Sequence, residues 1–127
     1  MKDRPQLAKS ELEVARIVWQ LGKATVRQVA DALPKDRELD FKTVQTYLRR
    51  LESKGYIRSQ RKGRSNVYTS CIRPRTVVRE VVADMVDRLF DGRVMPLAQH
   101  LIEDHSLNDE EIDQLHAALE RLKEKRQ

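Results

Sequence analysis

The sequence predicts a mainly α protein: three short helices closed by a β-hairpin, followed by three further amphipathic helices. Three observations carry this. The chain has 127 residues, enough for one compact domain with an appendage and too few for two large ones. Apolar residues recur at helical spacing through most of it, whereas residues 56–60 and 67–71 are short runs with β-branched and aromatic residues on either side of a turn-forming stretch. The charge is also divided. Residues 1–73 hold 17 Lys and Arg against 8 Asp and Glu, while residues 74–127 hold 8 against 12, so the two parts face different partners.

Each element has a local cause. Ser10, with Glu13 three residues on, reads as a capping box, and Leu12, Ile17, Val18 and Leu21 carry an apolar stripe from Ser10 to Leu21 that ends at Gly22. Gly22 to Ala24 reads as a tight turn. Thr25 caps a short second helix with Val26, Val29, Ala30 and Leu33 on one face, stopped by Pro34. After a polar loop, Asp40 caps a third helix that buries Val44, Leu48 and Leu51, keeps Tyr47 at the margin, and closes at Gly55.

Tyr56 to Gln60 and Val67 to Cys71 read as strands of a hairpin, with a basic tip over Arg61 to Asn66 that contains Gly63 and the turn-forming Ser65-Asn66 pair. Three helices followed directly by a hairpin make a winged helix-turn-helix, and residues 1–73 are expected to be its DNA-binding domain. Pro74 opens a fourth helix whose Val77, Val78, Val81, Val82, Met85, Val86 and Leu89 form a stripe wider than one small domain needs. Asp91-Gly92 breaks the chain, Val94 to Ile102 makes a fifth helix, and Asn108 caps a sixth bearing Ile112, Leu115, Leu119 and Leu122 on one face. Residues 74–127 are therefore expected to be a three-helix dimerisation arm.

Composition removes several function classes. No run approaches the roughly 20 apolar residues of a membrane span, and the N-terminus lacks the apolar core of a signal peptide, so a cytoplasmic location is expected. The single cysteine, Cys71, excludes an internal disulfide and is expected to be buried or half-buried. His100, Asp104 and His105 give at most three ligands without a fourth, and no nucleophile–base arrangement or phosphate-cradling loop is present. No catalytic residues, metal site or cofactor is expected.

The informative residues lie between Lys42 and Arg64, where eight cations accompany a single acid, Glu52. Such density suits a surface that neutralises phosphates. With Val44, Leu48 and Leu51 turned inward, the third helix presents Lys42, Thr43, Gln45, Thr46, Arg49 and Arg50 outward. Hydroxyls and an amide suit base edges, so Thr43, Gln45 and Thr46 are expected to read sequence. Arg49 and Arg50, with Arg61, Lys62 and Arg64 in the wing, are expected to hold phosphates. A protein-interaction winged helix and a sequence-tolerant architectural DNA binder remain as alternatives.

Lys42-Thr43-Val44-Gln45-Thr46-Tyr47-Leu48-Arg49-Arg50-Leu51, followed by Lys54-Gly55-Tyr56-Ile57 and by Tyr68 in the wing, resembles the penicillinase repressor family. The resemblance spans nearly the whole chain. It implies a homodimeric repressor on inverted-repeat operators, with Lys42, Thr43, Gln45 and Thr46 at the recognition-helix positions and Arg61, Lys62 and Arg64 in the wing. In β-lactam-responsive members an antirepressor protease cuts an Asn-Phe bond in the dimerisation arm, so an inducing protease or antirepressor is an implied partner. Here the matching place is His100-Leu101. The cysteine-rich copper-sensing motif of other members has no counterpart, since no cysteine follows Cys71.

Overall fold

The computed structural model describes residues 4–37 and 39–127. Its elements run α1 (Lys9–Leu21), β1 (Lys23–Ala24), α2 (Val26–Ala32), α3 (Phe41–Ser53), β2 (Ile57–Lys62), β3 (Ser65–Ser70), α4 (Pro74–Phe90), α5 (Val94–Asp104) and α6 (Asp109–Lys125). They form two compact units, Met1–Val81 and Val82–Gln127, with α4 contributing to each. The first unit is the expected winged helix, and the early turns of α4 pack with it: Val77 is buried in the same core as Val14, Val18, Val44, Leu48 and Leu51.

Several local expectations are corrected. Helix α1 begins before Ser10, with Ala8 as its N-cap residue. Alanine has no side-chain acceptor, so only half of a capping box exists, in which the Ala8 N–H donates to Glu11 Oε1 at 2.8 Å. Ser10 and Glu13 instead accept hydrogen bonds from the Arg37 guanidinium and tie the α2–α3 loop to α1. The Gly22 to Ala24 turn contains a short strand, β1, which pairs antiparallel with β3 and gives a three-stranded sheet in the order β1-β3-β2. Its two residues are too few to leave a periodic signal.

The hairpin is longer and its turn tighter than expected. Lys62 pairs with Ser65, so Arg61, Lys62, Ser65 and Asn66 are strand residues and Gly63-Arg64 alone forms the turn. Gly63 has φ +63, the left-handed value that a two-residue II′ hairpin turn demands at its first central position. Helix α3 ends as expected at Gly55. There the Gly55 N–H donates to the Glu52 carbonyl and the Tyr56 N–H to the Leu51 carbonyl, a Schellman pairing that needs the left-handed φ of +89. Cys71, just past β3, is exposed, because β3 ends at Ser70 and the chain leaves the sheet there.

One buried ion pair joins these pieces. Glu11 is 2% exposed, and its carboxylate accepts from Lys54 Nζ at 2.6 Å as well as from the Ala8 N–H. Lys54 also donates to the Gln6 carbonyl. Burial alone would push Glu11 up, but the two hydrogen bonds and the charges of Lys54 and Arg50 outweigh it and hold the carboxyl below its ordinary 4.5.

In the second unit, α6 carries a complete capping box. Asn108 Oδ1 accepts from the Glu111 N–H at 2.8 Å, and Glu111 Oε1 accepts from the Asn108 N–H at 3.1 Å. Acids in its first turn and lysines in its last complement the helix dipole. No helix of the described residues is long and apolar enough to cross a membrane.

Replacing Glu11 by alanine leaves Lys54 facing a partly buried site without its partner, and should cost about 3 kcal/mol at neutral pH. Because folding lowers the Glu11 pKa, this contribution is complete above the unfolded value near 4.5 and fades as pH falls through the folded one. Urea unfolding of both proteins at pH 7 and pH 3 should show the gap narrowing at low pH. A gap of equal size at both would mean the carboxylate's charge is not what Glu11 contributes.

Candidate nucleic-acid interface

Helix α3 is held at three places by carboxylates. At its start, Asp40 Oδ1 accepts from the Thr43 N–H at 2.8 Å, and the backbone and side-chain hydrogen bonds of Thr43 keep the Asp40 carboxyl below its ordinary range. Near its end, Glu52 Oε2 accepts from both the N–H and the hydroxyl of Ser59, at 3.0 and 2.7 Å, which fixes β2 against the helix. Glu11 holds Lys54 at the C-cap. Three apolar contacts, Val44, Leu48 and Leu51, are fully buried beneath. The outward face is thus presented on a rigid support.

The structure gathers part of the expected set into one groove of about 480 Å³ between α2, α3 and the wing. Gln45 and Arg49, one helical turn apart on α3, line it with Arg61 and Arg64 of the hairpin. Arg61 Nε donates to the Gly63 carbonyl at 3.3 Å, folding that side chain back across the turn. Lys42 and Lys62 are exposed outside this lining. Thr43 is half-buried, its backbone N–H given to Asp40, and the Thr46 hydroxyl donates to the Lys42 carbonyl at 3.0 Å, so the Thr46 hydroxyl proton is committed locally. Arg50 lies over the Tyr47 ring, 5.7 Å from its centroid.

Six residues of the lining lie outside the expected DNA-binding set: Thr25, Val26, Ser65 and Asn66, and two of more distinctive chemistry, Arg27 and Phe41. Arg27, on the first turn of α2, lines the groove, as does Phe41, the first residue of α3; the Arg27 guanidinium stands 5.5 Å from the Phe41 ring centroid. Arg27 sits far from the basic run in sequence, and only the helix-turn-helix geometry brings it to Arg49 and Arg64. Four arginines around one concave surface focus positive potential there. The groove can bind a polyanion and offers an amide for base edges. Among the described residues, no group of three His, Cys, Asp or Glu is placed to hold a metal; His100 Nδ1 simply meets Asp104 at 2.9 Å on exposed α5.

Comparison with known proteins agrees with this geometry. The penicillinase repressor family model matches residues 7–121. The chain is similar to the penicillinase repressor of Bacillus licheniformis, 30% identical over 126 residues, covering 99% of this chain and 98% of that one. It is also similar to the solution structure of the DNA-binding domain of the repressor BlaI, with a TM-score of 0.51 and 36% identity over 58% of this chain and 90% of that one. The monomeric form of Bacillus licheniformis BlaI in complex with the blaP half-operator gives a TM-score of 0.50 at the same identity and coverage. With the family match covering most of the chain and the winged helix in place, the chain belongs to the penicillinase repressor family, whose members are transcriptional repressors rather than enzymes.

Proposed function

We propose that this protein is a sequence-specific DNA-binding repressor that acts as a homodimer on an inverted-repeat operator. The single observation that carries the DNA-binding reading is the groove in which Gln45 of α3 lies among Arg27, Arg49, Arg61 and Arg64. In a winged helix the third helix enters the major groove while the hairpin tip lies on the adjacent backbone. Gln45 then reads a base edge, an adenine being its natural bidentate partner. The arginines hold phosphates, and Lys42, Arg50 and Lys62 extend the cationic surface. Thr46, with its hydroxyl proton given to the Lys42 carbonyl, contributes a methyl group and acceptor lone pairs, and Thr43 adds a hydroxyl at the start of the helix. A half-operator bound by one BlaI monomer supports two-fold recognition here.

The dimer is supported by where the apolar surface lies. Val78, Val81, Val82 and Leu89 on α4 and Ile112, Leu115 and Leu119 on α6 are all exposed, with Met85 half-buried. Runs of exposed apolar side chains along a helix face of this kind mark an interaction surface. A second copy covering it would tie two recognition helices together, and two half-sites about one turn of DNA apart follow from that symmetry. An inducing protease or antirepressor would act on this arm. His100 and Leu101 lie in α5 and are both exposed, so cleavage between them requires only that the end of α5 opens locally.

Two experiments test the reading. In binding assays against a selected site and random duplex DNA, Gln45→Ala should lose about 1–3 kcal/mol on the selected site and little on random DNA. Arg64→Ala should weaken both alike and flatten the slope of log affinity against log salt by about 1 per subunit. The reverse pattern would exchange the roles of reader and anchor. For the dimer, Leu89→Glu combined with Leu119→Glu should give a monomer by sedimentation velocity. Affinity for the full operator should fall about 10²- to 10⁴-fold with half-site affinity unchanged, as expected when linkage is lost. A wild-type protein that is monomeric at micromolar concentration would overturn this part.

A further inference from the structure

Phe41 departs from the rule that governs the rest of the surface. Among the described residues, the exposed large apolar side chains lie on α4, α5 and α6, with two exceptions, Leu21 and Phe41. Leu21 ends α1, away from the groove. Phe41 is 44% exposed, is not among the residues packed against the core, and lines the groove itself. It stands one helical turn before Gln45 and two before Arg49, so the three make a single row along α3. Arg27 faces its ring from α2 at 5.5 Å, close enough for a cation–π contact that holds both side chains in place.

An apolar ring in a row of base-reading and phosphate-holding groups has one natural counterpart in B-DNA. Base edges in the major groove are polar except for the C5-methyl group of thymine, and phenylalanine is among the side chains that meet it. We propose that Phe41 is a specificity-determining residue that reads a thymine methyl group, with Arg27 positioning its ring and reaching a neighbouring phosphate. The assignment rests on α3 being the recognition helix. One turn of helix rises about 5.4 Å, against about 3.4 Å per base step. The thymine therefore lies one or two base pairs from the base read by Gln45. Arg27 contributes charge without sequence preference, so the pair divides reading from anchoring as the rest of the groove does.

The test removes only the methyl group. A site is selected from a random duplex library with the full-length protein, and each thymine in a half-site is then replaced by deoxyuridine in turn. At one thymine per half-site the wild type should bind the deoxyuridine duplex about fourfold more weakly, the value of one buried methyl group. Phe41→Ala should bind the thymine duplex more weakly by a similar factor and no longer distinguish the two, while Phe41→Leu retains part of the distinction. Arg27→Ala should weaken both duplexes equally and flatten the salt slope. A ring that serves only to brace α2 against α3 would lower the melting temperature on substitution yet leave the thymine-to-deoxyuridine ratio intact. That result, or a wild type that binds its selected site with every deoxyuridine neutral, overturns the proposal while sequence-specific binding stands. Failure to select any site overturns both.

Discussion

The buried pair between Glu11 and Lys54 is the constraint on which the DNA-reading unit depends. Lys54 is the C-cap residue of α3, and Glu11 sits in the first turn of α1, so one contact at 2.6 Å registers the recognition helix against the helix beneath it. The same carboxylate closes the start of α1 through the Ala8 N–H, and Lys54 reaches on to the Gln6 carbonyl. Directly after Lys54, the Schellman turn at Gly55 sends the chain into β2. The wing's departure angle is therefore fixed where the helix is anchored. Such a pair gains little over a well-packed apolar one in stability, but it admits one geometry.

Carboxylates are scarce in the first half of the chain, and those near α3 are spent inward. Asp40 caps its start, Glu52 fastens β2 to it, and Glu11 holds its end. Turned toward backbone N–H groups, Ser59 and Lys54, these acids stabilise the helix. The Thr46 hydroxyl is likewise taken up within α3, by the Lys42 carbonyl.

Long-period features were legible in the sequence and short contacts were not. The stripes of α1, α3, α4 and α6, the Asp40 and Asn108 caps and the Gly55 stop all stand where periodicity and capping chemistry place them. The start of α1 did not, because Ser10 is a better cap by residue type than Ala8, and the deciding group was the buried carboxylate of Glu11. The hairpin offered two turn candidates. Gly63-Arg64 prevails over Ser65-Asn66 because only glycine accepts the positive φ without cost. At the site, Gln45, Arg49, Arg61 and Arg64 could be read from a basic run and a helical face. Arg27 could not, since nothing local marks a cation on α2 as a neighbour of the wing, and Phe41 stands outside both the inward stripe and the polar face of α3.

Helix α4 begins in the winged-helix unit and runs on into the second. Its early turns belong to the first unit: Val77 is buried in that core, and Arg4, lying over the Tyr56 ring, holds Glu80 through two hydrogen bonds at 2.8 and 2.7 Å. Tyr56 in turn donates to the Pro5 carbonyl. Val78 and Val81 are thus exposed apolar residues of the same compact unit as Gln45. A partner that covers them would bear on the recognition helix through packed side chains alone, with no flexible linker to absorb misalignment. Half-site spacing is then constrained by packing, and a change on α4 that shifts the partner by a fraction of a turn would be felt at the base pairs.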